Sequence, residues 1–255
     1  MKKIIRILHS VIAGVLIIIY TVTGAAIVLT LFPFFGRRKY VDVATRIWID
    51  LMLFTCGVKV TVEGLENIDK DKAYIFVVNH QSLFDVPACV KVIPARLRML
   101  AKKELFRIPM FGWGMSAIGH IKIDRENSES AIASLEKAVE RLKTEDISPV
   151  VYPEGTRSPD GKIHRFKKGA FVLAIKSGRS IVPVTIQGSR NILQKKSLYL
   201  NPGKVHVIID KPVETTGFEV SKRNELAIKI HDIIEARFYG REPEQPVDNN
   251  KNSDV

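Results

Sequence analysis

Cysteine is scarce: Cys56 and Cys89 are the only two in 255 residues, too few for a disulfide scaffold or a cysteine-based zinc site. Aromatic residues make up only 8% of the chain, and several lie in an apolar N-terminus rather than among the basic residues, which disfavours nucleic acid as a partner. No G-x-S-x-G turn is present. Gly114-Met115-Ser116-Ala117-Ile118 lacks the second glycine, so a covalent serine mechanism has no support. The run from Gly155 to Gly161-Lys162-Ile163 fails as a phosphate loop, with five intervening residues and an Ile where Ser or Thr must bind magnesium. No dense set of metal ligands is visible, and none is expected. Charge itself is missing from Ile7 to Phe35, where His9 is the one side chain of a type that can become cationic.

Positive charge is abundant elsewhere. Against 27 Asp and Glu stand 39 Lys and Arg, for a formal net charge of +12. That balance points to an anionic partner: nucleic acid, a phospholipid surface or a phosphorylated substrate. Hydrophobic residues are 46% of the chain, which excludes disorder for most of it.

The uncharged N-terminus narrows the choice. A helix from Ile4 to Phe32, ended by Pro33 and Gly36, would be roughly 43 Å long against a hydrocarbon core of about 30 Å. Lys2, Lys3 and Arg6 precede it, and Arg37, Arg38 and Lys39 follow, so no positive-inside bias orients it. Keeping both ends on the cytoplasmic side as a re-entrant or interfacial hairpin satisfies both flanks. A second apolar stretch, Val41 to Val58, carries Asp42, Arg46 and Asp50 at helical spacing, the pattern of an amphipathic helix in the membrane interface. A signal peptide is a poorer match, because Gly24-Ala25-Ala26 comes too late for its exit.

From about Lys59 the pattern alternates. Strands are expected at Tyr74–Val78, Leu97–Ala101, Ile118–Ile123, Val150–Tyr152, Ile181–Ile186 and Val205–Ile209. Helices are expected at Ser82–Val92, Ser128–Lys143, Gly169–Lys176 and Ser221–Tyr239. This predicts an α/β fold with a mainly parallel sheet flanked by helices, preceded by a two-helix membrane-associated motif. The expected divisions are 1–58 for the anchor, 59–240 for the α/β domain and 241–255 for a disordered tail.

Four blocks could carry chemistry. In Asn79-His80-Gln81-Ser82-Leu83-Phe84-Asp85, a neutral His80 could act as general base while Asp85 holds its other ring nitrogen. Ser82-x-x-Asp85 is equally a helix capping box, and the segment alone leaves both readings open. Tyr152-Pro153-Glu154-Gly155-Thr156-Arg157-Ser158 brings a carboxylate, a guanidinium and two hydroxyls to a strand's C-terminal end, where α/β sheets place ligands; a charged surface turn is the plainer reading. Gly119 to Arg125 ends a strand in an Arg that could clamp a phosphate, or could sit in an exposed pair with Asp124. Pro183 interrupts the strand Ile181–Ile186, which suggests an edge, a bulge or a wall shaped for a ligand, unless it only starts the strand.

In this order and at these separations, the four blocks resemble those of the lysophospholipid acyltransferase family, most nearly the bacterial 1-acyl-sn-glycerol-3-phosphate acyltransferases. Asn79, His80 and Asp85 match N-H-x4-D, and Tyr152 to Ser158 match F/Y-P-E-G-T-R-S at every position. Phe166-Lys167-Lys168-Gly169-Ala170 is similar to family sequence too, and the likeness covers roughly Val58 to Val213. The resemblance implies acyl transfer from acyl-CoA or acyl-ACP to the sn-2 hydroxyl of lysophosphatidic acid, giving phosphatidic acid, with no bound cofactor. It implies His80 as base and Asp85 as its orienter, with Arg125 and Arg157 holding the acceptor phosphate. Glu154, Gly155 and Thr156 would shape the acceptor site, with Pro183 in its wall. Lys103 would face the phosphate or the developing oxyanion. Expected partners are an anionic bilayer, the lysophospholipid acceptor and acyl carrier protein, with no nucleic acid, at the cytoplasmic face of the inner membrane. Lys122 departs from the apolar residue usual there in the family. A non-catalytic lipid-binding protein, or an enzyme for a different lysolipid, is the competing expectation.

Overall fold

The computed structural model of the protein describes residues 2–35, 39–124 and 127–242. Its first helix, α1 (Lys2–Phe35), runs through Pro33 rather than stopping there. Proline obstructs a helix backwards, against the carbonyl four residues earlier, so two further residues can follow it. By length and composition α1 is able to cross a membrane. It folds back on α2 (Lys39–Thr55) as an antiparallel pair. Trp48 Nε1 donates to Thr21 Oγ1 at 3.2 Å, and His9 Nε2 meets the Thr55 carbonyl at 3.1 Å. The far ends of α1 also touch the rest of the chain. Ser10 Oγ accepts from the Leu200 N–H at 2.9 Å, and Ala25 lies against Gly114. The helix therefore lies along the domain and does not project from it.

The polar stripe of α2 runs along its border with the rest of the chain: Asp42 and Arg46 are partly covered there, whereas Asp50 stays exposed. Asp42 accepts from Arg98 at 2.7 Å, Arg46 donates to the carbonyls of Val90 and Ile93 at 2.9 Å each, and Asp50 pairs with Lys91 at 2.8 Å. The reason is local: a helix C-terminus offers unpaired carbonyls, and Arg46 satisfies them. Val43, Ile47, Leu51 and Phe54 are left exposed beside the stripe, opposite the buried Ile49, Met52 and Leu53.

Seven strands follow: β1 (Val58–Glu63), β2 (Ile75–Val78), β3 (Leu97–Lys102), β4 (Ile121–Ile123), β5 (Ser148–Val151), β6 (Ile181–Gln187) and β7 (Gly203–Ile209). The helices between and after them are α3 (Asp85–Val92), α4 (Phe111–Ile118), α5 (Ser128–Thr144), α6 (Gly169–Ser177), the short α7 (Ser189–Ile192) and α8 (Arg223–Phe238). The sheet order is β1-β7-β6-β2-β5-β3-β4, parallel throughout except for the β6–β7 pair. Alternation along the strands divides the core. Phe76, Val78, Val182, Val184 and Ile186 pack on one face with α2 and α3. Ile75, Val77 and Ile181 pack on the other with α5, α6 and α8. The structure is thus an α/β sheet covered on both faces, with the helical pair in front.

Three expectations shift in detail. Ile118 ends α4 rather than beginning a strand, because Gly119 at φ 92° terminates the helix and only Ile121–Ile123 pair with β3. β1, polar on alternate positions, is an edge strand that the pattern did not reveal. Pro183 sits in an interior strand, paired with Val77 of β2. Its carbonyl accepts from the Asp210 N–H at 3.0 Å, so its ring nitrogen also faces the β7 side. There the regular ladder stops at Val184–Ile209 and resumes only in an isolated bridge between Ile181 and Val213, a bulge that needs no donor at Pro183. The expected tail from residue 241 falls almost wholly outside the described residues.

Candidate active site

β2 and β5 are parallel neighbours, so their C-terminal ends open on the same sheet edge. The two longest motifs leave from those ends and meet there. Asn79, first after β2, is locked to β6: its amide donates to the Ile186 carbonyl at 2.9 Å and accepts from the Ile186 N–H at 2.7 Å. This extends the sheet by one side chain and sets the position of the next residue, His80.

His80 Nδ1 lies 2.8 Å from Asp85 Oδ2. The same oxygen accepts from the backbone N–H groups of Gln81 at 2.7 Å and Ser82 at 2.8 Å. Both readings of the segment therefore hold at once. Asp85 reaches back to the turn as a capping carboxylate and also orients the imidazole. Ser82 does not return the bond to Asp85: its hydroxyl accepts from the Phe84 N–H at 3.3 Å and donates to the Leu193 carbonyl at 2.8 Å, and α3 begins only at Asp85. Because Asp85 is a buried acceptor, His80 Nδ1 carries the proton and Nε2 presents a lone pair. The His80 side chain is 17% exposed and that of Asp85 0%, so the pair opens to the surface only at the ring.

The second loop holds the first. Glu154 Oε1 accepts from the His80 backbone N–H at 2.7 Å, and Oε2 from that of His164 at 3.4 Å. Ser158 N–H donates to the His80 carbonyl at 2.8 Å. His80 is thus tied through its N–H, its carbonyl and its ring. Burial pushes the Glu154 carboxyl above the usual glutamate range, and the two backbone donors pull it back. Gly155 stands at φ 77° with the Lys167 side chain 3.0 Å from where a Cβ would lie, so the turn requires glycine. Thr156 and Arg157 are fixed by Lys195, whose ammonium donates to Thr156 Oγ1 at 3.0 Å and to the Arg157 carbonyl at 2.7 Å.

The other expected residues are spread along this edge. Lys103 follows β3 and pairs with Asp124 at 2.8 Å, just past β4. Arg125 lies outside the described residues. Pro183 is inside the sheet, one pair below the end of β2. Direct hydrogen bonds therefore join His80, Asp85 and Glu154, and the Lys195 contacts gather Thr156 and Arg157 beside them. Lys195, Ser158 and the ring of Tyr152, stacked on His80 at 4.2 Å, had no signal of their own in the sequence. Ser158 and Tyr152 could be read only as members of a block. Among the described residues, no three His, Cys, Asp or Glu side chains converge to hold a metal ion.

Such an arrangement can take a proton from a hydroxyl at Nε2 and hold the resulting imidazolium against Asp85. Comparison with known proteins agrees with it. A family model described as Acyltransferase matches residues 59–187. A chloroplastic 1-acyl-sn-glycerol-3-phosphate acyltransferase of Arabidopsis thaliana is 34% identical over 219 residues, 84% of this chain and 60% of that protein. The 1-acyl-sn-glycerol-3-phosphate acyltransferase of Saccharomyces cerevisiae is 35% identical over 192 residues, 74% of this chain and 63% of its own. That of Limnanthes alba is 31% identical over 86% of this chain and 77% of its own length. The chain thus spans about 60% of the length of the first of these relatives. Among solved structures, the crystal structure of the 1-acyl-sn-glycerophosphate (LPA) acyltransferase PlsC from Thermotoga maritima superposes with a TM-score of 0.80 at 32% identity, covering 93% of this chain and 96% of that one.

Proposed function

The chain belongs to the acyltransferase family, and from that premise we propose that it moves a fatty acyl group from a thioester donor, acyl-CoA or acyl-ACP, to the sn-2 hydroxyl of lysophosphatidic acid, forming phosphatidic acid. The observation that carries the reading is the His80–Asp85 contact at 2.8 Å through Nδ1, with the carboxylate buried and the imidazole partly exposed.

The acceptor hydroxyl gives its proton to His80 Nε2 as its oxygen attacks the thioester carbonyl. The imidazolium is stabilised through Nδ1–H by Asp85. The tetrahedral intermediate then collapses, the C–S bond breaks, and the leaving thiolate takes the proton from Nε2, which restores the neutral base. The thioester is already activated, so no acyl-enzyme is required. Arg125 and Arg157 hold the acceptor phosphate, Lys103 lends charge to the oxyanion, and the turn at Gly155 and Thr156, kept in shape by the buried Glu154, forms the wall with Pro183 beneath it. Residues 1–58 anchor the catalytic unit of residues 59–240 on the cytoplasmic face of the membrane. A run of twelve Lys and Arg against only Asp160 and Asp210 between residues 157 and 211 favours an anionic bilayer and an anionic donor such as acyl carrier protein.

The test is an acyl-transfer assay of the full chain over a panel of lysolipids, with acyl-CoA and acyl-ACP compared as donors. Phosphatidic acid is the expected product, and His80→Ala is expected to lose about 100- to 10,000-fold in kcat while membrane association persists. Transfer to no lysolipid from either donor, or turnover undiminished in His80→Ala, would overturn the reading.

A further inference from the structure

Tyr152 is the first residue after β5, and its ring lies against the ring of His80, centroids 4.2 Å apart and planes 26° from parallel. The bond to Asp85 fixes one atom of the imidazole. It leaves the ring able to rock about that contact, which would swing Nε2 away from a bound hydroxyl. A flat neighbour at stacking distance removes this freedom. The π face also carries negative potential, and it faces the ring that becomes cationic during the reaction.

The hydroxyl end of Tyr152 points elsewhere. It is buried beside Cys89, one helical turn beyond Asp85 on α3. Burial, with Cys89 and Asp85 behind it, pushes the phenol well above the usual tyrosine range. The same burial pushes the Cys89 thiol up. Both groups stay protonated and neutral, so Asp85 is the only negative charge among these side chains behind the imidazole. Neither is poised to deliver a proton to the reaction.

We propose that Tyr152 is a positioning residue for His80, acting through the face of its ring and not through its hydroxyl. The inference rests on His80 being the general base. Tyr152→Phe and Tyr152→Leu separate the two parts of the side chain, and His80→Ala measured beside them checks the premise. Tyr152→Phe is expected to keep kcat within about 3-fold of the parent, whereas Tyr152→Leu lowers kcat by about 10- to 100-fold with the KM of donor and acceptor unchanged. Parent-like kcat in Tyr152→Leu overturns the proposal, as does a loss confined to KM. A Tyr152→Phe variant as impaired as Tyr152→Leu also overturns it, because the hydroxyl would then be the working part. Tyr152→Phe removes a single oxygen from the same packing, so it decides that last point even where Tyr152→Leu fails to fold. Undiminished turnover in His80→Ala overturns the base assignment instead, which keeps the two failures distinct.

Discussion

Replacing Glu154 by Ala separates a residue that touches substrate from one that holds the base in place. Its carboxylate is buried and accepts from the His80 backbone N–H at 2.7 Å and the His164 N–H at 3.4 Å. The short bond to a charged acceptor is worth about 1.5–3 kcal/mol, and the buried donor it satisfies has no second partner in the loop. The long bond contributes much less. If that energy restrains His80 in its reactive position, Glu154→Ala lowers kcat by about 10- to 150-fold, at 1.36 kcal/mol for each factor of ten. Glu154→Gln keeps an oxygen opposite the His80 N–H and is expected to lose only about 3- to 5-fold. The acceptor KM stays at the parent value in both. Stability gives a second readout. The folded chain holds the Glu154 proton to higher pH than the unfolded chain does, so this group contributes stability at low pH that is lost as pH rises through its elevated value. Glu154→Gln should therefore flatten that part of the profile of unfolding free energy against pH. Steady-state kinetics with varied lysophosphatidic acid decide the matter. A raised acceptor KM at parent kcat in Glu154→Ala would refute the restraint and put Glu154 on the substrate.

Two further outcomes follow from the packing. Desolvation pushes the His120 imidazole down to about 3, with the Arg98 and Arg141 charges adding to it, while its Nδ1 accepts from the Met99 N–H at 3.1 Å. The unfolded chain takes up that proton near pH 6.5, so stability is lost as pH falls from there toward 3. His120→Asn, which keeps an acceptor for Met99, should lose less stability between pH 7 and pH 4.5 than the parent in urea titrations, and equal losses would contradict this. On the outer side of α2, Ile47 is 55% exposed and Phe54 86%. The pair Ile47→Glu and Phe54→Glu should weaken flotation with anionic vesicles at least about 10-fold, with the unfolding midpoint nearly unchanged. Unaltered flotation would remove this face from the membrane contact.

Strong local signals made the α/β body legible in the sequence. Ile75–Val78 and Ile181–Ile186 are nearly unbroken apolar runs, as strands buried on both faces require, the helix after Asn127 repeats its apolar residues about every four, and all three fold where the sequence puts them. The pairing was not legible. Nothing in Val205–Ile209 says that β7 runs antiparallel to β6 yet parallel to β1, because a strand's side-chain pattern reads the same in either direction. In the site, the spacing of His80 and Asp85 at a strand end marked a candidate pair but left the base and the capping readings open, and the family resemblance favoured the first. The partner of Glu154 was not legible. A carboxylate 74 positions from His80 can find its backbone N–H only once β2 and β5 lie side by side. Lys195, which fixes Thr156 and Arg157 from a separate loop, was hidden for the same reason.

The second helix shows what a polar stripe can do besides face water. Asp42, Arg46 and Asp50 do form one polar stripe, and a polar stripe on an apolar helix ordinarily faces water. Here water is replaced by better partners. Arg46 meets the last carbonyls of α3, and Asp42 meets Arg98, whose side chain is 2% exposed. A charge removed from solvent must be paired, so turning α2 away from these partners would leave buried charge uncompensated. The consequence reaches the site. α3 is gripped by Arg46 at its C-terminal end and carries Asp85 at its first residue, eight residues of rigid helix in all. Arg46 of α2 and the carboxylate that meets His80 are therefore joined through one short helix, with two hydrogen bonds at one end and the imidazole contact at the other.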